Sequence, residues 1–207
     1  MTALIERVVA QSSRSSSRAG VILMGHGFGG TLGLQIAATR PELVRHLVMV
    51  GSTGWYLDPT LYGPDEAVVV GMIWRRRLGT GTTDLARALT NELRLTYSED
   101  DRPPLAALQA EAERWLAWGF NPHDEHRSAW LGAPSLWAAA KSLGCPTTVI
   151  HGARDPVLPV MHSERLAALI PGARLNIVPG AGHALSAPMR DQLLRVLRDL
   201  IEPDTTD

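Results

Sequence analysis

An α/β fold built on an open parallel sheet is predicted for this chain from three observations. Four short apolar runs, at residues 21–24, 47–50, 147–150 and 175–178, are each closed by a glycine or a turn. Segments 31–40, 162–170 and 188–201 carry apolar residues at helical spacing. The two kinds of element alternate along the chain, the order that lays helices on both faces of a parallel sheet.

Each element has its own reason. The apolar runs are short and lack polar alternation, as strands buried on both faces do. Pro41 and Pro171 close the first two helical patterns, since proline has no N–H and restricts the residue before it. In such a sheet the functional groups gather at the carboxyl ends of the strands.

Composition narrows the function. A chain of 207 residues with 45% hydrophobic and 20% charged content can bury a core, and one main domain is expected. A formal net charge of -1 supplies no basic field, which argues against nucleic acid as a partner. Cys145 is the single cysteine and cannot form an internal disulfide, so a reducing compartment fits. Neither a metal nor a cofactor is implied. His123 and His126, beside Asp124 and Glu125, lie in a polar stretch without further ligands and read as a solvated loop. No signal peptide is visible, and no window approaches about 18 consecutive apolar residues. A soluble, cytoplasmic protein without a membrane partner is therefore expected.

Between residues 56 and 140 strand signals vanish and helical runs such as 105–118 dominate. The expected organisation is a core of residues 1–55 and 141–207 with a helical insertion at 56–140. The loose stretch 98–104 divides that insertion into two helical parts. It reads as a lid whose aromatic side chains could line a pocket, although Trp115 and Trp118 at helical spacing read first as core residues.

The chemistry concentrates in two places. Val21-Ile-Leu-Met-Gly-His-Gly-Phe-Gly-Gly30 sets a glycine-rich turn between a strand and a helix. This is the form of a nucleophile elbow, G-x-S-x-G, with Gly27 at its centre. Gly25, Gly27 and Gly30 also match the dinucleotide fingerprint, but the next strand ends in Gly51 and Ser52 and not in the acidic residue that holds a ribose. An oxyanion loop around His26 to Gly29 would need a G-x-S-x-G downstream, and none follows. Farther on, Asp155 falls just past the strand at 147–150, and His183 just past the strand at 175–178. Nucleophile position, acid and base in that order is the order of one hydrolase class.

Here the chain resembles the α/β hydrolases, and among them capped esterase-like members. GHGFGGTLGLQIAATRPELVRHLVMVGS looks like the elbow, its helix and the next strand, and PTTVIHGARDPVLPVMHSERLAALIPGARLNIVPGAGHAL looks like the acid and base segment. The part from Asn121 onward is most similar to small methylesterase-like hydrolases that act on polyketide esters. The resemblance implies Asp155 as the acid orienting His183, His183 as general base, Gly27 at the nucleophile position, and the backbone N–H of Phe28 as an oxyanion donor. It also implies that Gly27, Asp155 and His183 meet at one rim of the sheet.

Two departures stand against that pattern. Gly27 has no side chain to form a covalent intermediate, and glycine adopts the positive-φ elbow at little cost. Only about 20 residues precede the elbow strand, where the family has several strands and a second oxyanion donor. Residues 1–11 read as the helix entering that strand, so a partial fold is expected, with the strand at 21–24 as an open apolar edge. Exposed edges pair with something, and a second copy or another partner would cover this one. Ser52, at the end of the next strand, is poorly placed to replace the nucleophile, and His26 reads as a packing residue. The expected function is a carboxylic-ester hydrolase by ancestry, taking a small apolar ester, with activity reduced or absent. The alternatives are an inactive protein binding a small molecule, and a nucleophile-independent enzyme that uses His183 and Asp155 as its base.

Overall fold

The computed structural model describes residues 3, 6–7, 20–77, 82–121 and 132–201. Most of the helix expected at 1–11, and the stretch with His123 and His126, lie outside the described residues. In chain order the first elements are β1 (Val21–His26), α1 (Phe28–Thr39), β2 (Val44–Val50), α2 (Glu66–Arg77), α3 (Thr82–Thr96) and α4 (Leu105–Ala117). They are followed by α5 (Trp137–Lys141), β3 (Thr147–Gly152), α6 (Met161–Leu169), β4 (Arg174–Val178) and α7 (Ala187–Ile201). The chain divides into two compact units, one of Met1–Leu61, Pro134–His151 and Val160–Ile177, the other of Tyr62–Ala133, Gly152–Pro159 and Val178–Asp207.

The first unit carries the sheet, in the order β1-β2-β3-β4. β1 and β2 run parallel, with Leu23 opposite Leu47 and His26 opposite Val50. β2 and β3 run parallel, with Leu47 opposite Thr147 and Val50 opposite Ile150. The burial follows that order. Leu47, Val48, Met49 and Val50 of the inner strand β2 are wholly buried, while Met24 on β1 and Ile177 on β4 are exposed. The apolar run at 21–24 is therefore an outer strand of this sheet, as expected. α1 ends where Pro41 demands it, with Arg40 out of the helical region at φ −138°.

A buried carboxylate joins three segments of this unit. Asp58 Oδ1 accepts the N–H and the hydroxyl of Thr60, and its Oδ2 accepts the indole N–H of Trp137 at 2.6 Å and Arg165 at 3.0 Å. The Arg165 guanidinium also lies over the Trp137 ring, 4.9 Å from its centre.

The second unit is helical. Leu85, Leu89 and Leu93 recur every fourth residue along α3 and are buried, the stripe by which a helix packs on a core. Leu89 and Leu93 cluster with Tyr97 and with Leu108 and Ala112 of α4, and Trp115 packs against that cluster. Trp115 thus joins the core as expected. Trp118 does not: it is 79% exposed, because α4 ends at Ala117 and Trp118 caps it outside the stripe. The irregular stretch expected at 98–104 does separate α3 from α4. Among the described residues no helix is long and apolar enough to cross a membrane.

Candidate active site

In the first unit the glycine-rich turn has the geometry of an elbow. Gly27 sits between β1 and α1 at φ 54° and ψ −124°, a region closed to residues with a side chain unless strain is borne. No non-glycine residue among those described has positive φ. Strand and helix also approach too closely for side chains: a Cβ on Gly25 would stand 2.3 Å from the backbone of Gly29, and one on Gly30 2.0 Å from Ser52 Oγ. The turn is tied to β2, because Gly27 N–H donates to the Val50 carbonyl at 2.9 Å and Ser52 Oγ donates to the Gly27 carbonyl at 2.9 Å. Ser52 is wholly buried and committed to backbone carbonyls, which removes it as a replacement nucleophile. Phe28 is the first residue of α1, where N–H groups lack the partners that later turns supply. Its ring meets Tyr56 edge to face at 5.9 Å.

Below the turn runs a buried polar network that no local sequence pattern announced. Thr31 Oγ1 donates to the Thr53 carbonyl at 2.6 Å, and Thr53 Oγ1 lies 2.8 Å from His162 Nδ1. His151 Nδ1 is hydrogen-bonded to Ser163 Oγ. Both imidazoles are buried, so these hydroxyls satisfy nitrogens that would otherwise carry the cost of lost solvation.

The second unit holds the two other predicted residues and brings them together. Asp155 follows β3 and His183 follows β4, and His183 Nδ1 donates to Asp155 Oδ2 at 2.7 Å. The Asp155 side chain is 0% exposed and that of His183 12%, so this pair is largely shielded from water. The other oxygen is used differently. Asp155 Oδ1 accepts the N–H groups of Val157 and Leu158, each at 2.8 Å. An aspartate before a proline is usually a turn residue. Here one carboxylate does both, fixing its turn through Oδ1 and the imidazole through Oδ2.

Hollows occur in this unit among the described residues. One, of about 440 Å³, is lined by Val68, Leu95, Tyr97, Arg102 and by Arg154 and Pro156, the neighbours of Asp155 in sequence. Its volume is that of a small-ligand pocket. A larger one of about 760 Å³ lies along α3 and α4, lined by residues such as Arg87, Asn91, Gln109 and Leu116, and reaches neither Asp155 nor His183. No group of three or more His, Cys, Asp or Glu residues that could hold a metal occurs among the described residues.

Comparison with known proteins places these features in a family. A model of the α/β hydrolase fold matches residues 5–187. The chain is 31% identical over 175 residues to a 2-hydroxymuconate semialdehyde hydrolase of Pseudomonas sp. strain CF600, covering 78% of this chain and 54% of the relative. It is similar in structure to an esterase from Exiguobacterium antarcticum, at a TM-score of 0.74 and 20% identity, over 98% of this chain and 73% of the other. It is similar also to the enol-lactonase from Burkholderia xenovorans LB400, at a TM-score of 0.67 and 20% identity, over 96% of this chain and 73% of the other. The chain spans about half the length of the first curated relatives it matches. With a positive-φ glycine turn after one strand, a carboxylate and an imidazole hydrogen-bonded after two later ones, and a family model running through all three, this chain belongs to the α/β hydrolase fold family.

Proposed function

We propose that the chain is a carboxylic-ester hydrolase by ancestry, acting on a small apolar ester, and that its rate is reduced because Gly27 stands where the family carries its nucleophile. The observation that carries this reading is the buried hydrogen bond from His183 to Asp155. A carboxylate holding Nδ1 fixes the tautomer and orientation of the ring, the arrangement of a general base in acyl transfer. The solved neighbours include an esterase and an enol-lactonase, which motivates an ester or lactone as substrate. In this reading the helical segment 56–140 is the cap that sets specificity, Phe28 N–H is an oxyanion donor, and no cofactor takes part.

Without a side chain at Gly27 no acyl-enzyme forms. The remaining route is a water activated by His183, with a loss on the order of a thousandfold or more relative to a complete triad. This nucleophile-independent use of the base is the second reading, and the intact Asp155–His183 pair favours it over a protein that only binds its ligand.

Short-chain aryl esters assayed with the natural chain, with Gly27→Ser and with His183→Ala separate the readings. Slow turnover that needs His183 and rises when Gly27→Ser restores a hydroxyl to the turn supports the ester-hydrolase ancestry. Turnover that needs His183 but gains nothing from the serine supports water activation. Absence of turnover in all variants, together with saturable ligand binding, would leave only the binding role.

A further inference from the structure

We propose that Asp101 is a positioning residue for His183, acting through the backbone N–H of Gly182. It lies in the stretch that follows α3, far in sequence from the acid and base segments, and it deepens the hydrolase reading by extending the site into the helical segment.

The segment that carries His183 is gripped on two sides. On one side, Gly152 and the acid turn close on it: a Cβ on Gly152 would stand 2.2 Å from the Gly182 carbonyl oxygen, and Arg154 N–H donates to the Ala181 carbonyl at 2.9 Å. On the other side stand residues 96–101. The Thr96 carbonyl accepts the N–H of His183 at 2.7 Å and of Ala184 at 3.0 Å. A Cβ on Gly182 would stand 2.4 Å from Ser98 N, so only glycine allows this approach. Asp100 pairs with Arg154 at 2.6 Å, joining the two sides.

Asp101 is the member of this grip with charge to spend on the base segment. Its Oδ1 accepts Ser98 N–H at 3.0 Å and lies 2.9 Å from Ser98 Oγ, while its Oδ2 accepts the N–H of Gly182 at 3.2 Å. Ser98 Oγ is also within hydrogen-bonding distance of the Gly180 carbonyl, its single proton serving one acceptor at a time. Gly182 is bonded directly to His183. Asp101 holds the peptide between Ala181 and Gly182 while the Thr96 carbonyl holds the peptide between Gly182 and His183, and the two together limit the Gly182 torsions that set the direction from which the imidazole leaves the backbone. A positioning group of this kind acts as second-layer support does at other sites, by removing freedom from the group that reacts.

The decisive variant is Asp101→Asn. Asparagine keeps an acceptor for Ser98 but turns an amide NH2 toward the N–H of Gly182, so donor meets donor. A residue that only shaped the 98–101 turn would tolerate that change. The readout is the His183 Nδ1 proton in solution NMR spectra of the natural chain, assigned by its loss in His183→Gln. In Asp101→Asn its exchange with water is expected to quicken about tenfold, the opening gained by losing one hydrogen bond to a charged group. Ser98→Ala, which leaves Oδ2 on Gly182, is expected to change it by less than about threefold. Equal acceleration in both variants, or none in Asp101→Asn, would overturn the proposal. So would a Gly182 amide that exchanges in the natural chain as fast as in an unstructured peptide, a measurement that needs no variant to fold. If Gly27→Ser is active, Asp101→Asn on that background should lower kcat about tenfold at unchanged KM. Failure of Gly27→Ser to turn over esters would leave the proton readout untouched, so the two ideas stand or fall separately.

Discussion

The indole N–H of Trp137 and the carboxylate of Asp58 meet at 2.6 Å in the core of the first unit, linking residues far apart in sequence through the least accessible charge of that region. Burial pushes this carboxyl's pKa up, but the bonds from Thr60 and Trp137 and the charge of Arg165 outweigh it and hold Asp58 below the usual carboxylate range. Removing the indole donor leaves a buried carboxylate oxygen with Arg165 as its remaining partner. Trp137→Phe should therefore lower stability by about 2 kcal/mol or more, read from the urea midpoint.

The same pair fixes the acid limb of stability. Because the folded carboxyl titrates below its unfolded value of about 3.9, its stabilisation is present above that pH. It is lost as pH falls through the lower folded value. Asp58→Asn should flatten the melting temperature between about pH 4 and pH 2 relative to the natural chain, while lowering it at neutral pH.

His46 imposes a dependence at milder pH. Burial first, then the charges of Arg174 and Arg45, push its pKa down, and its Nε2 is hydrogen-bonded to Thr148 Oγ1 at 2.9 Å across β2 and β3. The unfolded chain takes up this proton sooner, at its value of about 6.5. Stability is thus whole above that pH and declines as pH falls toward the folded value. Melting curves from about pH 8 to pH 5 should show the decline, and His46→Gln should reduce its slope.

Gly27→Ala asks what the turn costs a residue with a Cβ. At φ 54° and ψ −124° the strain should be about 1–3 kcal/mol. Equilibrium unfolding of Gly27→Ala against the natural chain measures it, and a change near zero would mean that the turn relaxes away from this geometry.

Cys145 is buried, and burial pushes its thiol pKa up. Thiolate is the reactive form, so an aromatic disulfide reagent should label the folded chain at least about tenfold more slowly than the urea-unfolded chain.

How much of this could be read from the amino acids varies with distance along the chain. Each of the four strands was visible, but each is longer than its apolar run. β2 begins at Val44, since Arg45 and His46 hide a strand whose backbone still pairs with β1, and β3 continues through His151, a polar residue buried by its bond to Ser163. Asp155 and His183 were legible because each follows a strand in a fixed order. Asp101 and Ser98 were not: their partners in the base segment lie 81 and 82 residues away, and no periodicity spans such a gap. His162 was hidden for the same reason, its partner Thr53 being 109 residues distant. Trp118 shows the opposite error, where helical spacing continued one residue beyond the helix itself.

The hydrogen bonds that hold Gly27 belong to the neighbouring strand, since Val50 accepts its amide and Ser52 supplies the proton to its carbonyl. Picosecond backbone motion at the turn should then follow that of β2, the strand with pairing on both flanks, and not that of β1, which among the described residues has it on one. In NMR relaxation the order parameter of Gly27 should match those of residues 47–50, a stiffness lent by a neighbour to a residue that by itself is the loosest the chain can use.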